Sequence, residues 1–209
     1  MSDLALGVLA LAGICMLAWK HAAIGPRWIA IVSGMRFLRV CRCVVVMIAV
    51  VGIIGSLLQF GEPLNWGWFH LLFDRPGGVV SAAVSAGGKS GEGVWTAVVV
   101  LVLALMVPNL AETEERVFRQ GRVSWSDIAY SAVMFGPLHL IMGIPIAAAI
   151  GVSLGGLWLG YWYRRSYLNA IARGALHQDA EEMALLESTR EHVGINLCLL
   201  AIVLLAAIT

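Results

Sequence analysis

Two adjacent carboxylates, two histidines and an amide are the residues of this chain whose types and spacing could do chemistry. Glu114 and Glu115 open the segment EERVFR, with Arg119 four residues after Glu115. On a helix Glu115 and Arg119 share a face and can pair, while Glu114 is rotated by about 100° and is left to point elsewhere. Phe135 and His139 stand at i and i+4 in FGPLH, within an apolar run, so one helical stripe carries a ring and an imidazole. His192 and Asn196 repeat that spacing in HVGIN, where the chain enters its last apolar run. Each cluster alone has a plainer reading: surface ion pairs, a hydrogen-bonded core histidine, a polar helix entrance. Together, a free carboxylate, two imidazoles and an amide form a set able to activate a water molecule and to stabilise an oxyanion.

The elements that must position these groups are membrane helices. Of 209 residues 60% are hydrophobic and 13% charged, with a mean hydropathy of +0.85, beyond what a water-facing globular surface tolerates. A net charge of +1 gives no reason to expect a nucleic-acid partner. Apolar runs cover Leu4 to Trp19, Cys43 to Phe60, Val94 to Ala111, Ile128 to Ile150, Gly151 to Tyr163 and Val193 to Thr209. The stretch from Ile128 to Tyr163 is too long for one helix, and Gly143 with Pro145 supplies the break. The expected fold is all-α: one integral membrane domain over residues 1–209 with about six transmembrane helices.

Charge placement orients that arrangement. Lys20, Arg27, Arg36, Arg39 and Arg42 fall in the first loop, Arg116, Arg119 and Arg122 in the third, and Arg164, Arg165, Arg173 and Arg190 in the fifth. Only Arg75 and Lys89 remain for the second. Basic residues are retained in cytoplasmic loops, so both termini are expected outside and the three clusters toward the cytoplasmic side. Ile29 to Val40 is basic and amphipathic, suited to an inner interface or to an ordinary loop. Gly61 to Gly93 begins with an aromatic belt and ends flexible; its AVSAGGKS lacks the first glycine and the βαβ setting of a phosphate-binding loop. Cys15, Cys41, Cys43 and Cys198 form no CxxC pair and read as packing residues, with acylation of Cys41 or Cys43 the alternative. The N-terminus has no signal-peptide pattern, so its first apolar run is expected to be retained.

EERVFR, FGPLH and HVGIN, in this order, resemble the EExxxR, FxxxH and HxxxN/D motifs of the CPBP family of intramembrane proteases, the CAAX-processing enzymes and their bacterial relatives. GGLWLGYWY, Gly155 to Tyr163, resembles the small-residue helix that precedes the last motif. The resemblance covers a catalytic core of about residues 94–209, and the first 93 residues add nothing to it. It implies an intramembrane endopeptidase acting near the cytoplasmic face on a peptide or lipidated protein substrate at the membrane lipid. Glu114 with His139 would activate water, His192 with Asn196 would stabilise the oxyanion, and Glu115, Arg119 and Phe135 would give structural support.

Glu114, His139 and His192 are also a legitimate open zinc set, so residue types alone leave a zinc route and a metal-independent route open. Arg164 to Glu191 is a longer polar insertion than the family's and contains a competing His177. That histidine has Glu181 rather than Asn four residues on, which favours His192. The alternative from another functional class is a non-proteolytic membrane scaffold or bacteriocin-immunity-type protein that keeps the motifs as a polar core. A small-solute transporter ranks below both, since no internal repeat is visible. Substrate identity and oligomeric state are not legible.

Overall fold

In the computed structural model, residues 26–60, 62–66, 88–141 and 143–208 are described, and among them every regular element is a helix. They are α1 (Pro26–Ser33), α2 (Phe37–Leu58), α3 (Glu62–Asn65), α4 (Gly88–Arg119), α5 (Trp125–Leu140), α6 (Ile146–Ala172) and α7 (His177–Ile208). The all-α expectation therefore holds.

The helix boundaries follow local chemistry. Ser124 caps α5 by accepting a hydrogen bond from the Asp127 amide at 3.1 Å, and Asp127 itself sits in the positive first turn. The break expected at Gly143 and Pro145 is present: α5 ends at Leu140 and α6 starts directly after Pro145. α6 stops at Gly174, whose φ of 84° is a conformation glycine adopts without strain. There the Ala175 amide returns to the Ala170 carbonyl at 3.1 Å and that of Gly174 to Ile171 at 2.9 Å, a Schellman closure.

The polar stretch Arg164 to Glu191 is not a loop. It forms the last turns of α6, a short turn and the first turns of α7. Tyr163, Tyr167 and Ala170 lock against Ala180, Ala184 and Leu185, so a second apolar stripe carries both helices past the end of the lipid-like sequence. The amphipathic segment Ile29 to Val40 is likewise two pieces, α1 and the start of α2, joined through Gly34, Met35 and Arg36.

α6 lies between α5 and α7, and α7 also packs on α4 and α2. Gly136 allows the close approach of α5 to α6, because a Cβ there would lie 2.2 Å from the Ala149 carbonyl oxygen. Ile31, Val107, Ala111 and Val193 join α1, α4 and α7 in a second apolar cluster.

Two helices, Phe37–Leu58 and Ile146–Ala172, are long and apolar enough to cross a membrane. Only 11% of the apolar window in the first is buried, and Val45 and Ile48 are each 65% exposed. In water such a surface would be an unusually large apolar patch. The expected first span, Leu4 to Trp19, and most of the aromatic loop lie outside the described residues. The run Val94 to Ala111 lies within α4, and α7 is helical from Val193 to Ile208.

Candidate functional site: a carboxylate–imidazole cluster

The C-terminal turns of α4, the middle of α7 and the C-terminal half of α5 meet where the apolar bundle gives way to its polar end. Glu115 is fully buried there. Its Oε1 accepts from His192 Nδ1 at 3.0 Å, and its Oε2 accepts from the Ser188 hydroxyl. Arg119 Nε stands 3.7 Å from Glu115, one turn along α4, so the expected i,i+4 pairing is present. Arg119 is itself buried: Nη2 donates to the Gly156 carbonyl at 3.4 Å, and Cζ lies 4.4 Å from the centroid of the Phe135 ring.

The electrostatics of this cluster are internally balanced. Burial alone would push the Glu115 carboxyl up, but Arg119, His192 and Ser188 outweigh it and hold the group below the usual carboxylate range. Burial also pulls the Arg119 guanidinium down against Glu115 and Glu114. A guanidinium nonetheless stays protonated in proteins, so the pair is ionic. Since an ionised carboxylate only accepts, the Nδ1 of His192 carries the proton in its bond to Glu115.

Glu114 points to the other side of the same imidazole, its Oε2 3.6 Å from His192 Nε2, with the side chain 33% exposed. It is thus the open carboxylate and Glu115 the held one, as the 100° rotation along α4 requires. The two imidazoles share one partner. The Phe135 ring meets His139 edge-on at a centroid distance of 4.7 Å and His192 at 5.8 Å. His139 Nδ1 bonds the Phe135 carbonyl at 2.8 Å, which places the proton on Nδ1 and leaves a lone pair on Nε2 when the ring is neutral. Asn196 lies one turn beyond His192 on the same stripe of α7, half-buried. The structure thus brings Glu114, Glu115, Arg119, Phe135 and His192 into one cluster, and His139 against it through Phe135.

Ser188 is the member that spacing had not revealed. It is fully buried, lies 3.1 Å from the Leu159 carbonyl and donates to Glu115. A signal existed: Ser188, His192 and Asn196 repeat at i, i+4 and i+8, a polar stripe along one helix face. His177, the competing histidine, opens α7 instead, four turns from His192; its side chain is 72% exposed, beside Glu181 and bonded to the Tyr167 hydroxyl.

Among the described residues no three His, Cys, Asp or Glu side chains are grouped to hold a metal ion. Of the residues that would hold a zinc ion, Glu114 and His192 stand 3.6 Å apart, and His139 meets the cluster through the Phe135 ring.

The N-terminal helices brace the element that carries His192. Glu191, its side chain 1% exposed, is ion-paired with Arg42 and lies 3.4 Å from Arg39 Nε, while Arg39 also holds Glu187. Arg27 pairs with Glu112 at 2.9 Å and Glu182 at 3.3 Å, and Arg116 bonds both of those carboxylates. The segment that adds nothing to the family resemblance is thus tied by charge to α7 and to the end of α4.

Compared with protein-family models, with curated proteins and with solved structures, the chain shows no match.

Proposed function

We propose that this chain is a multi-pass intramembrane endopeptidase that hydrolyses a peptide bond of a membrane-associated or lipidated substrate near the cytoplasmic face. The observation that carries this reading is a single imidazole, His192, set between a buried carboxylate at 3.0 Å and a partly open one at 3.6 Å, with a second imidazole on the far side of the shared Phe135 ring. The motif resemblance supports it independently of the geometry.

In this reading Glu114 is the base. It takes a proton from water as the oxygen attacks the scissile carbonyl carbon, and His139 Nε2 offers the second acceptor for that water. The developing oxyanion is met by the Asn196 amide and by His192, which donates from Nε2 in its imidazolium form. Collapse of the intermediate breaks the C–N bond, and the proton held by Glu114 passes to the leaving amine. Glu115 and Ser188 fix the His192 ring, and Arg119 fixes Glu115. A water-excluding bundle strengthens each of these interactions over its value in bulk solvent.

Six crossings with the polar end in the cytoplasm fit the apolar runs and the basic clusters, and the two long apolar helices support the membrane setting. The test is cleavage of a membrane-anchored reporter by purified protein. Glu114→Ala and His139→Ala should each lower turnover about 10²- to 10⁴-fold. Full turnover in both variants would end the proposal.

One observation favours a second reading. Glu115, Ser188 and His192 hydrogen-bond in a buried set with Arg119 ion-paired to Glu115, which is also what a structural polar core would look like. A non-proteolytic scaffold or immunity-type protein needs only that core and has no use for Glu114. Cellular function that survives Glu114→Ala would select it.

A further inference from the structure

A cleft of about 330 Å³ opens between the polar extensions of α6 and α7, apart from the carboxylate–imidazole cluster. Ser166, Asn169 and Arg173 line one wall, and Met183, Leu186, Glu187 and Arg190 the other. The first three repeat at i, i+3 and i+7, so α6 presents a hydroxyl, an amide and a guanidinium along one stripe. The opposite wall offers an apolar floor in Met183 and Leu186 and a charged end in Glu187 and Arg190.

The charge balance of the cleft is positive. Glu187 is its one carboxylate and is ion-paired with both Arg39 and Arg190. Burial pushes Glu187 up, but the two arginines hold its carboxyl below the usual range, so it stays ionised and paired. Arg190 also reaches the Ala30 carbonyl at 2.6 Å, which fixes its guanidinium in place. Among the described residues Arg173 has no ion-pair partner, and Ser166 and Asn169 lie beside it as neutral hydrogen-bonding groups.

The position of the cleft along α6 selects its setting. Trp158, Tyr161 and Trp162 meet one another in tilted and edge-on contacts just before it, the composition found at the level of a bilayer's polar boundary. Ser166 lies one turn past Trp162, and Arg173 about 16 Å past it by helical rise. The headgroup layer is roughly 5 to 8 Å thick on each side. Ser166 therefore stands at headgroup depth, with Arg173 above it and long enough to reach down.

We propose that this cleft binds a phosphate-type anion, supplied by the headgroup of an anionic phospholipid or by a small soluble phosphate. Hydroxyl, amide and guanidinium on one wall, with an apolar floor opposite, match a phosphate ester carrying a carbon backbone. The volume lies at the lower end of small-ligand sites. The site is independent of the peptidase reading: Glu114→Ala should bind like wild type, so loss of either claim leaves the other standing.

The experiment uses the purified full chain, delipidated in neutral detergent and titrated in separate arms with phosphatidylglycerol, phosphatidylcholine, glycerol 3-phosphate and inorganic phosphate. Bound stoichiometry is read by native mass spectrometry and stabilisation by thermal melting. Saturable binding near one per chain is expected for phosphatidylglycerol over phosphatidylcholine if a lipid is the source, and for glycerol 3-phosphate if it is soluble. Arg173→Gln and Ser166→Ala should each weaken it at least threefold with unchanged ligand-free melting, since Arg173 is exposed. Arg165→Gln, whose guanidinium sits on the Tyr161 hydroxyl at 3.0 Å, should not. Absence of saturable binding in every arm, or equal losses in the Arg165 and Arg173 variants, would overturn the site.

Discussion

Glu114 and Glu115 are neighbours in sequence with opposite fates, and the difference is physical. Glu115 is buried and meets a guanidinium, a hydroxyl and an imidazole; Glu114 keeps a third of its side chain in the open. Removing the Glu115 charge would leave Arg119 buried and unpaired, so Glu115→Ala should cost about 3–5 kcal/mol of stability. Ser188→Ala removes one hydrogen bond to a charged acceptor and should cost about 1.5–3 kcal/mol, measured by denaturant or thermal unfolding in detergent.

The Glu115 carboxyl titrates lower when folded than when unfolded, so its contribution is complete above about pH 4.5 and is lost as the pH falls below that. A melting series should therefore fall on acidification, and fall less steeply in Glu115→Gln; parallel slopes would contradict the assignment. At this scale the i,i+4 rule was enough to read the Glu115–Arg119 pair and the independence of Glu114. It did not reveal that His192 turns its Nδ1 to Glu115 rather than to Glu114, because that choice is made across 77 residues by the packing of α7 on α4.

Among the elements, α5 and α6 were delimited by Gly143 and Pro145, and the reason is backbone chemistry that acts locally. The polar span Arg164 to Glu191 misled because charge content suggests a loop, whereas Tyr163, Tyr167 and Ala170 keep helical period through it. The close contact of α5 and α6 at Gly136 gives a prediction at this scale. Gly136→Ala would drive a methyl toward the Ala149 carbonyl, which cannot move cheaply, and should destabilise the chain by about 1–3 kcal/mol. Because Phe135 adjoins that contact and touches both imidazoles, the same change should lower turnover further than its loss of stability explains. Unchanged melting and turnover would show that α5 tolerates displacement.

Across the whole molecule, three of the basic residues expected on one side are drawn into one network of ion pairs. Arg27, Arg39 and Arg42 from α1 and α2 meet Glu112, Glu182, Glu187 and Glu191 from α4 and α7. The count of charges per loop singled out these arginines, while their partners, up to 155 residues away, were not legible. If this network faces the cytoplasm, a cysteine placed at Gln178 in a cysteine-free background should react with an impermeant reagent only from that side. One placed at Gln59, at the far end of α2, should react only from the other. Labelling of both from the same side would exclude the proposed topology.

The most direct test of the account is hydrolysis of a membrane-anchored peptide in ¹⁸O-labelled water by wild type and Glu114→Gln at matched melting temperature. The account predicts one ¹⁸O in the new carboxyl terminus formed by the wild type, and a rate at least about 100-fold lower for the variant. Equal rates in the two proteins, or no cleavage by a folded wild type across lipidated and transmembrane reporters, would contradict it.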